Sequence, residues 1–171
     1  MSKKSKKKLR LDILSMFLSI SLLSIYHLLN SYNLYQKITY PIQLITINII
    51  HFLQNLFGIE VVINNFSLLY NNSLNVEISP ICTGIEQLIF FFFMLSFFVG
   101  VDFKTKIKGF LFFAPIIIIT NFLRLFLIYP LSIVYSIETT WKIHDFIFIY
   151  GQGFFLLILV LIWYYFFVNR Q

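Results

Sequence analysis

Ile78 to Gly100 reads ISPICTGIEQLIFFFFMLSFFVG. It holds the single cysteine of the chain, Cys82, with Pro80 before it, Thr83-Gly84 after it and a long apolar run beyond. From Ile85 to Val99 the polar residues are Glu86, Gln87 and Ser96. Read as one helix over 82–100, the stretch has about the 20 residues that a bilayer core requires. Cys82 is then expected where a helix begins and membrane meets water. Backbone N–H groups at a helix N-terminus favour a thiolate over a thiol. A lone cysteine in an apolar chain also has a plain reading, as a small buried hydrophobe.

Composition narrows the class. Of 171 residues, 59% are hydrophobic and 20% aromatic, against 12% charged. A soluble domain of this size could not cover so much apolar surface. The expectation is an all-α integral membrane protein with a single membrane-embedded domain over 11–171. The net charge of +6 raises nucleic-acid binding and then argues against it. Lys3, Lys4, Lys6, Lys7, Lys8 and Arg10 crowd into the tail 1–10, the positive-inside pattern of a membrane anchor. No basic face with interleaved aromatics follows. One cysteine excludes an intramolecular disulfide and a Cys-rich metal site.

Working outward, 11–29 is a first apolar segment with His27 near its outer end. No small-x-small cleavage site follows, so it reads as an uncleaved anchor. Segment 42–57, after Tyr40-Pro41, places Gln43, Asn48, His51, Gln54 and Asn55 on one side of a helical wheel. Ile42, Ile45, Ile49, Phe52, Leu53, Leu56 and Phe57 fall on the other. So amphipathic a helix is expected to lie in the interface and to end at Gly58. Residues 59–80 alternate at Phe66, Leu68, Tyr70 and again at Leu74, Val76, Ile78, with Asn71-Asn72-Ser73 between. This predicts a short β-hairpin outside the hydrocarbon. Lys104, Lys106 and Lys108 mark a loop on the same side as the basic tail. Runs 109–135 and 147–168 supply two further spans, joined by a polar loop at 136–146.

Parity ties these readings together. The basic tail and the lysine loop share a side only if 42–57 does not cross. The expected topology has four spans, at 11–29, 82–100, 109–135 and 147–168. Both termini are cytoplasmic, and the hairpin and Cys82 face outward.

Three polar residues then need explaining. An arginine at mid-span costs about 2.5–3.5 kcal/mol on insertion scales and usually faces a bundle interior. Arg124 lies 15 residues past Gly109, roughly 22 Å up a core of about 30 Å. That is the depth of Cys82. Leu125 to Ile128 continue the span beyond it, which disfavours snorkelling, and Asn121 shares its face. His144 precedes the last span at the same level, with Asp145 placed to orient it or to cap the helix. Glu86, four residues after Cys82, is expected on the same helix face as the cysteine. A thiol, a guanidinium and an imidazole at one depth suit acyl transfer at a peptide bond: nucleophile, oxyanion stabiliser and proton shuttle. They do not suit zinc, and no cofactor is expected.

Cys82-Thr83-Gly84, Asn121-x-x-Arg124 and His144, each beside a membrane span, together resemble the exosortase/archaeosortase family, here as a small, minimal-core member. The resemblance runs from about Leu44 to the C-terminus. It implies a multi-span cysteine transpeptidase of the cytoplasmic membrane with its active site facing outside. Cys82 would be the nucleophile, Arg124 its assistant and His144 the third member, with Glu86, Asn121 and Asp145 in support. The implied partners, besides the bilayer, are membrane-anchored proteins with a C-terminal sorting signal: a short motif, a hydrophobic span and a basic tail. Two other classes fit the residues: a non-catalytic scaffold or transporter subunit, in which Arg124 pairs with Glu86 and Cys82 packs, and a thiol acyltransferase acting on lipid.

Overall fold

The computed structural model describes residues 34–71 and 74–169, with isolated helical positions at 13, 17, 20, 21 and 24. The basic tail and the expected first span at 11–29 otherwise lie outside the described residues. Within them the protein is mostly helical and carries one small antiparallel sheet.

Helix α1 covers Leu34–Leu56 and contains Pro41. It begins before the Tyr40-Pro41 boundary that the sequence suggested. A proline removes one hydrogen bond and bends a helix without forbidding it, and here tertiary packing carries the helix through. Thr39, Gln43, Thr46, Ile47, Ile50 and Gln54 are buried at helical spacing against the rest of the protein. Ile45, Phe52 and Leu56 point outward. An apolar stripe turned away from the protein core is the arrangement that lipid covers. Gly58, at φ 73°, ends the turn after α1, a conformation that glycine adopts without a Cβ penalty.

The expected hairpin is one strand larger. Strands β1 (Val61–Asn64), β2 (Ser67–Tyr70) and β3 (Asn75–Glu77) form a meander in the order β1-β2-β3. Asn64 pairs with Ser67 across a two-residue turn in which Asn65 is left-handed, φ 54°. Asparagine tolerates that region better than most residues. The alternation read from the sequence is the one that packs: Leu68, Tyr70, Leu74, Val76 and Ile78 are all buried. They join Ile47 and Ile50 of α1 in one apolar cluster. Inside it the Tyr70 hydroxyl donates to Gln54 Oε1 at 2.7 Å. Burial pushes the Tyr70 phenol up to about 12, so it remains a protonated donor. Gln43 Nε2 donates to the Ile78 carbonyl at 2.9 Å, which pins the end of the sheet onto α1.

Cys82 does not begin an α-helix. Pro80–Thr83 form a 3₁₀ turn, Gly84 follows at φ 83°, and α2 starts at Ile85 and ends at Ser96. Its 12 residues span about 18 Å, so crossing a core of about 30 Å takes the 3₁₀ turn before it and residues 97–102 after it as well, and the continuous helix expected over 82–100 is not formed. The left-handed Gly84 breaks it at one end. At the other, Lys106, buried to 1%, donates from Nζ to the Ser96 carbonyl at 3.1 Å. Lys106 thus caps α2 as well as carrying charge, a role beyond the topological one read from its position.

Among the described residues two helices are long and apolar enough to cross a membrane, Phe103–Val134 and Ile137–Val168. The first, α3, keeps Pro115 and Pro130 within one helix. The second runs as α4 (Ile137–Phe146), a π turn (Ile147–Gly151), α5 (Gln152–Trp163) and a second π turn (Tyr164–Val168). The loop expected at 136–146 is therefore helical. Ser136 caps it, its Oγ accepting from the Thr139 N–H at 3.3 Å, and Glu138 meets Lys142 one turn on at 2.6 Å. Both signals favour helix and outweigh local polarity.

Helix α3 connects two apolar clusters. Leu125 and Ile128 join the sheet cluster. Phe113 and Ile117 join Phe91 and Leu95 of α2 and Leu156, Leu159, Val160 and Trp163 of α5. A Cβ at Gly109 would overlap the Trp163 indole, so glycine allows this close crossing. Between the clusters, α3 carries Asn121 and Arg124.

Candidate active site

Three elements converge where the two clusters meet. The 3₁₀ turn presents Cys82, half-buried, with Sγ 3.4 Å from Ser79 Oγ. The turn holds itself by the Cys82 N–H to Ser79 carbonyl bond at 2.9 Å and by Thr83 Oγ1 donating to the Pro80 carbonyl at 2.7 Å. Helix α3 grips it from outside: Asn121 Nδ2 donates to the Cys82 carbonyl at 2.7 Å. Gly84 packs beside the same amide, where a Cβ would lie in contact at 3.4 Å, and its left-handed φ of 83° is what calls for glycine. The Asn121-x-x-Arg124 spacing thereby acquires a meaning. Asn121 fixes the cysteine turn to α3, and Arg124 lies one turn along.

Arg124 lies close enough to Cys82 for the two side chains to interact electrostatically, and the same holds for Arg124 and His144. Arg124 Nη1 donates to Gln152 Oε1 at 3.1 Å, and the guanidinium carbon lies 4.7 Å from the Phe148 ring centre. Its Nε and Nη2 are buried and have no hydrogen-bond partner among the described residues. Buried donors are rarely left so, and these two form the edge of the guanidinium that suits bidentate recognition.

His144 comes from α4. Its Nδ1–H donates to Asp145 Oδ1 at 3.3 Å and its ring meets Trp141 edge-on at 5.5 Å. With Nδ1 engaged by a carboxylate, Nε2 is the acceptor nitrogen, and it is buried with no partner among the described residues. His144 and Arg124 line one cavity of about 200 Å³ with Thr120, Leu123 and Ile147. Arg124, Asn121, Gln152 and Thr120 line a second of about 100 Å³.

Of the residues singled out in the sequence, Cys82, Asn121, Arg124, His144 and Asp145 come together here. Glu86 stands apart in one respect. It occupies the first turn of α2, beyond the Gly84 break, so the four-residue spacing from Cys82 does not run along one helix face. Among the described residues no three His, Cys, Asp or Glu side chains gather as a metal ligand set would.

The model of the transmembrane exosortase family matches residues 8–164. The chain belongs to this family. Exosortases are generally transpeptidases that act on proteins carrying sorting signals, and membership together with the long apolar helices makes this a transmembrane protein. No curated protein and no solved structure matches the chain.

Two residues that touch Arg124 in the candidate site of this exosortase were missed in the sequence, Gln152 and Phe148. Gln152 had a readable signal. It is a polar residue inside the last apolar run, the same kind of anomaly that drew attention to Arg124.

Proposed function

We propose that this exosortase cleaves a C-terminal sorting signal at the outer face of the cytoplasmic membrane and passes the exported protein to an acceptor through a Cys82 thioester. The observation that carries the reading is the convergence of a thiol, a guanidinium with two unpartnered buried donors and an imidazole with an unpartnered Nε2, from three separate elements.

In the proposed reaction the Cys82 thiol gives up its proton, by way of solvent, to His144 Nε2, and the thiolate attacks the scissile carbonyl. The Nε–Nη2 edge of Arg124 holds the developing oxyanion. As the C–N bond breaks, the leaving amine takes a proton from His144 Nε2, and the thioester remains. An acceptor, water or another nucleophile, then gives its proton back to Nε2, attacks the thioester and releases the thiolate. Asp145 keeps Nδ1–H engaged, so that Nε2 is the atom that exchanges protons. A substrate anchored by its own span meets the site in two dimensions, which raises its effective concentration. The non-catalytic reading required Arg124 to pair with Glu86. The side chain that Arg124 bonds is Gln152, and a packing role leaves the orphaned donors unexplained.

This mechanism needs Cys82 on the outer side, with segment 42–57 lying in the interface. Reporter fusions at Asn33 and Asn72 are both expected to read outside. A membrane-impermeant thiol reagent added to intact cells is expected to label the chain at its single cysteine. An outside signal at Asn33 with a cytoplasmic one at Asn72 would break the four-span arrangement and put Cys82 on the wrong side.

A further inference from the structure

The guanidinium of Arg124 is held at one corner and on one face, and it is free along the opposite edge. Gln152 Oε1 takes Nη1 at 3.1 Å, the Phe148 ring covers the plane at 4.7 Å, and Nε and Nη2 have no partner among the described residues. A guanidinium is planar and rigid, so fixing one corner and the plane fixes where the remaining edge points. A site built only to satisfy a buried arginine would be expected to engage those two donors as well.

The helix is wound to make this possible. His144, Phe148 and Gln152 are spaced by four. In an α-helix each such step drifts by roughly 40° around the axis. The π turn Ile147–Gly151 lies between the first and the last of them. Its wider winding reduces that drift, so the three side chains line up on one face toward α3. Single π turns of this kind recur at functional sites.

We propose that Gln152 is a positioning residue: it ties down Nη1 so that the Nε–Nη2 edge of Arg124 faces the sulfur of Cys82 and the atoms reacting there. An amide suits this task better than a carboxylate. It accepts the hydrogen bond and leaves the positive charge uncompensated for the sulfur and the oxyanion. The proposal rests on reading Arg124 as the cation of the catalytic site.

The test uses the full chain in proteoliposomes and needs no substrate. Cys82 is the one cysteine, so its reaction with a methanethiosulfonate can be followed by mass. The thiolate forms a mixed disulfide and methanesulfinate leaves. Two probes are compared, the anionic sulfonatoethyl reagent and the neutral methyl reagent, and the anionic-to-neutral rate ratio is the readout. A correctly aimed Arg124 raises that ratio, and a change in general packing moves both rates together. Arg124→Gln is expected to lower the ratio about tenfold. Gln152→Met, similar in shape but without the acceptor, is expected to lower it several-fold. Added to Arg124→Gln, it should lower the ratio no further, because residues that act through one another are non-additive. Gln152→Glu keeps the reach and the acceptor but adds a compensating charge, and it should lower the ratio more than the Met variant. It also serves as the deciding variant should Gln152→Met fail to fold. If Arg124→Gln lowers the ratio while both Gln152 variants keep the wild-type value, the positioning role is wrong and the reading of Arg124 stands. If Arg124→Gln itself leaves the ratio unchanged, Arg124 does not face Cys82, and both ideas fall.

Discussion

Cys82→Ser is expected to accumulate in the membrane at the wild-type level and to release no C-terminal span from a co-expressed sorting-signal substrate, so that uncut substrate builds up. The substitution exchanges sulfur for oxygen at a half-buried position in a turn whose hydrogen bonds run through the backbone, Thr83 and Asn121. The fold has little reason to change. The chemistry has every reason to. A thiol ionises far more readily than a hydroxyl, and its anion is the nucleophile. A hydroxyl needs a general base in hydrogen-bond contact with it, and the polar side chain that Cys82 Sγ meets is Ser79. The loss should be at least about 10³-fold, equivalent to about 4 kcal/mol of transition-state stabilisation. Immunoblotting of substrate processing against enzyme level measures it. Processing at the normal rate by Cys82→Ser would show that no thioester is made.

Arg124→Lys is the second large effect. Lysine keeps the positive charge and the helix propensity, so insertion and accumulation should be normal. It loses the planar fork. A single ammonium cannot bond Gln152, lie against Phe148 and offer two parallel donors to an oxyanion at once. Removing one oxyanion donor from a preorganised site typically costs about 10²- to 10³-fold in rate, and a loss of that order is expected here in processing assays. Full activity in Arg124→Lys would reduce the residue to a generic charge, and full activity in Arg124→Ala would remove it from the site.

Order along the chain was readable from sequence; rotation about the helices was not. The expectation that Cys82, Arg124 and His144 lie together rests on counting residues from charged boundaries and on the parity of crossings, both one-dimensional quantities. The bond from Arg124 to Gln152 depends on a π turn, which changes register within an apolar run without any marker in composition. The helix at Ile137–Phe146 was hidden by its polarity, although Ser136 and the Glu138–Lys142 pair were signals of helix. The alternation in β2 and β3 was clear because those side chains are the core. Strand β1 was obscured because Val62 on its outer face is as apolar as the buried Val61. The break at Gly84 was legible only as a glycine, and its left-handed conformation moved Cys82 out of the α-helix to which it had been assigned.

The proposed acyl-enzyme on Cys82 can be observed directly. His144→Ala removes the group that protonates the leaving amine and activates the acceptor. Acylation should then be slow and deacylation slower. Substrate and this variant are incubated together in membranes, and the Cys82 peptide is analysed by mass spectrometry before and after hydroxylamine. Cys82 is expected to carry the substrate fragment upstream of the scissile bond, hydroxylamine to remove it, and Cys82→Ser/His144→Ala to show none. Substrate cleavage by the wild-type enzyme with no adduct at Cys82 in either enzyme, or an adduct on a different residue, would contradict the proposed acyl-enzyme.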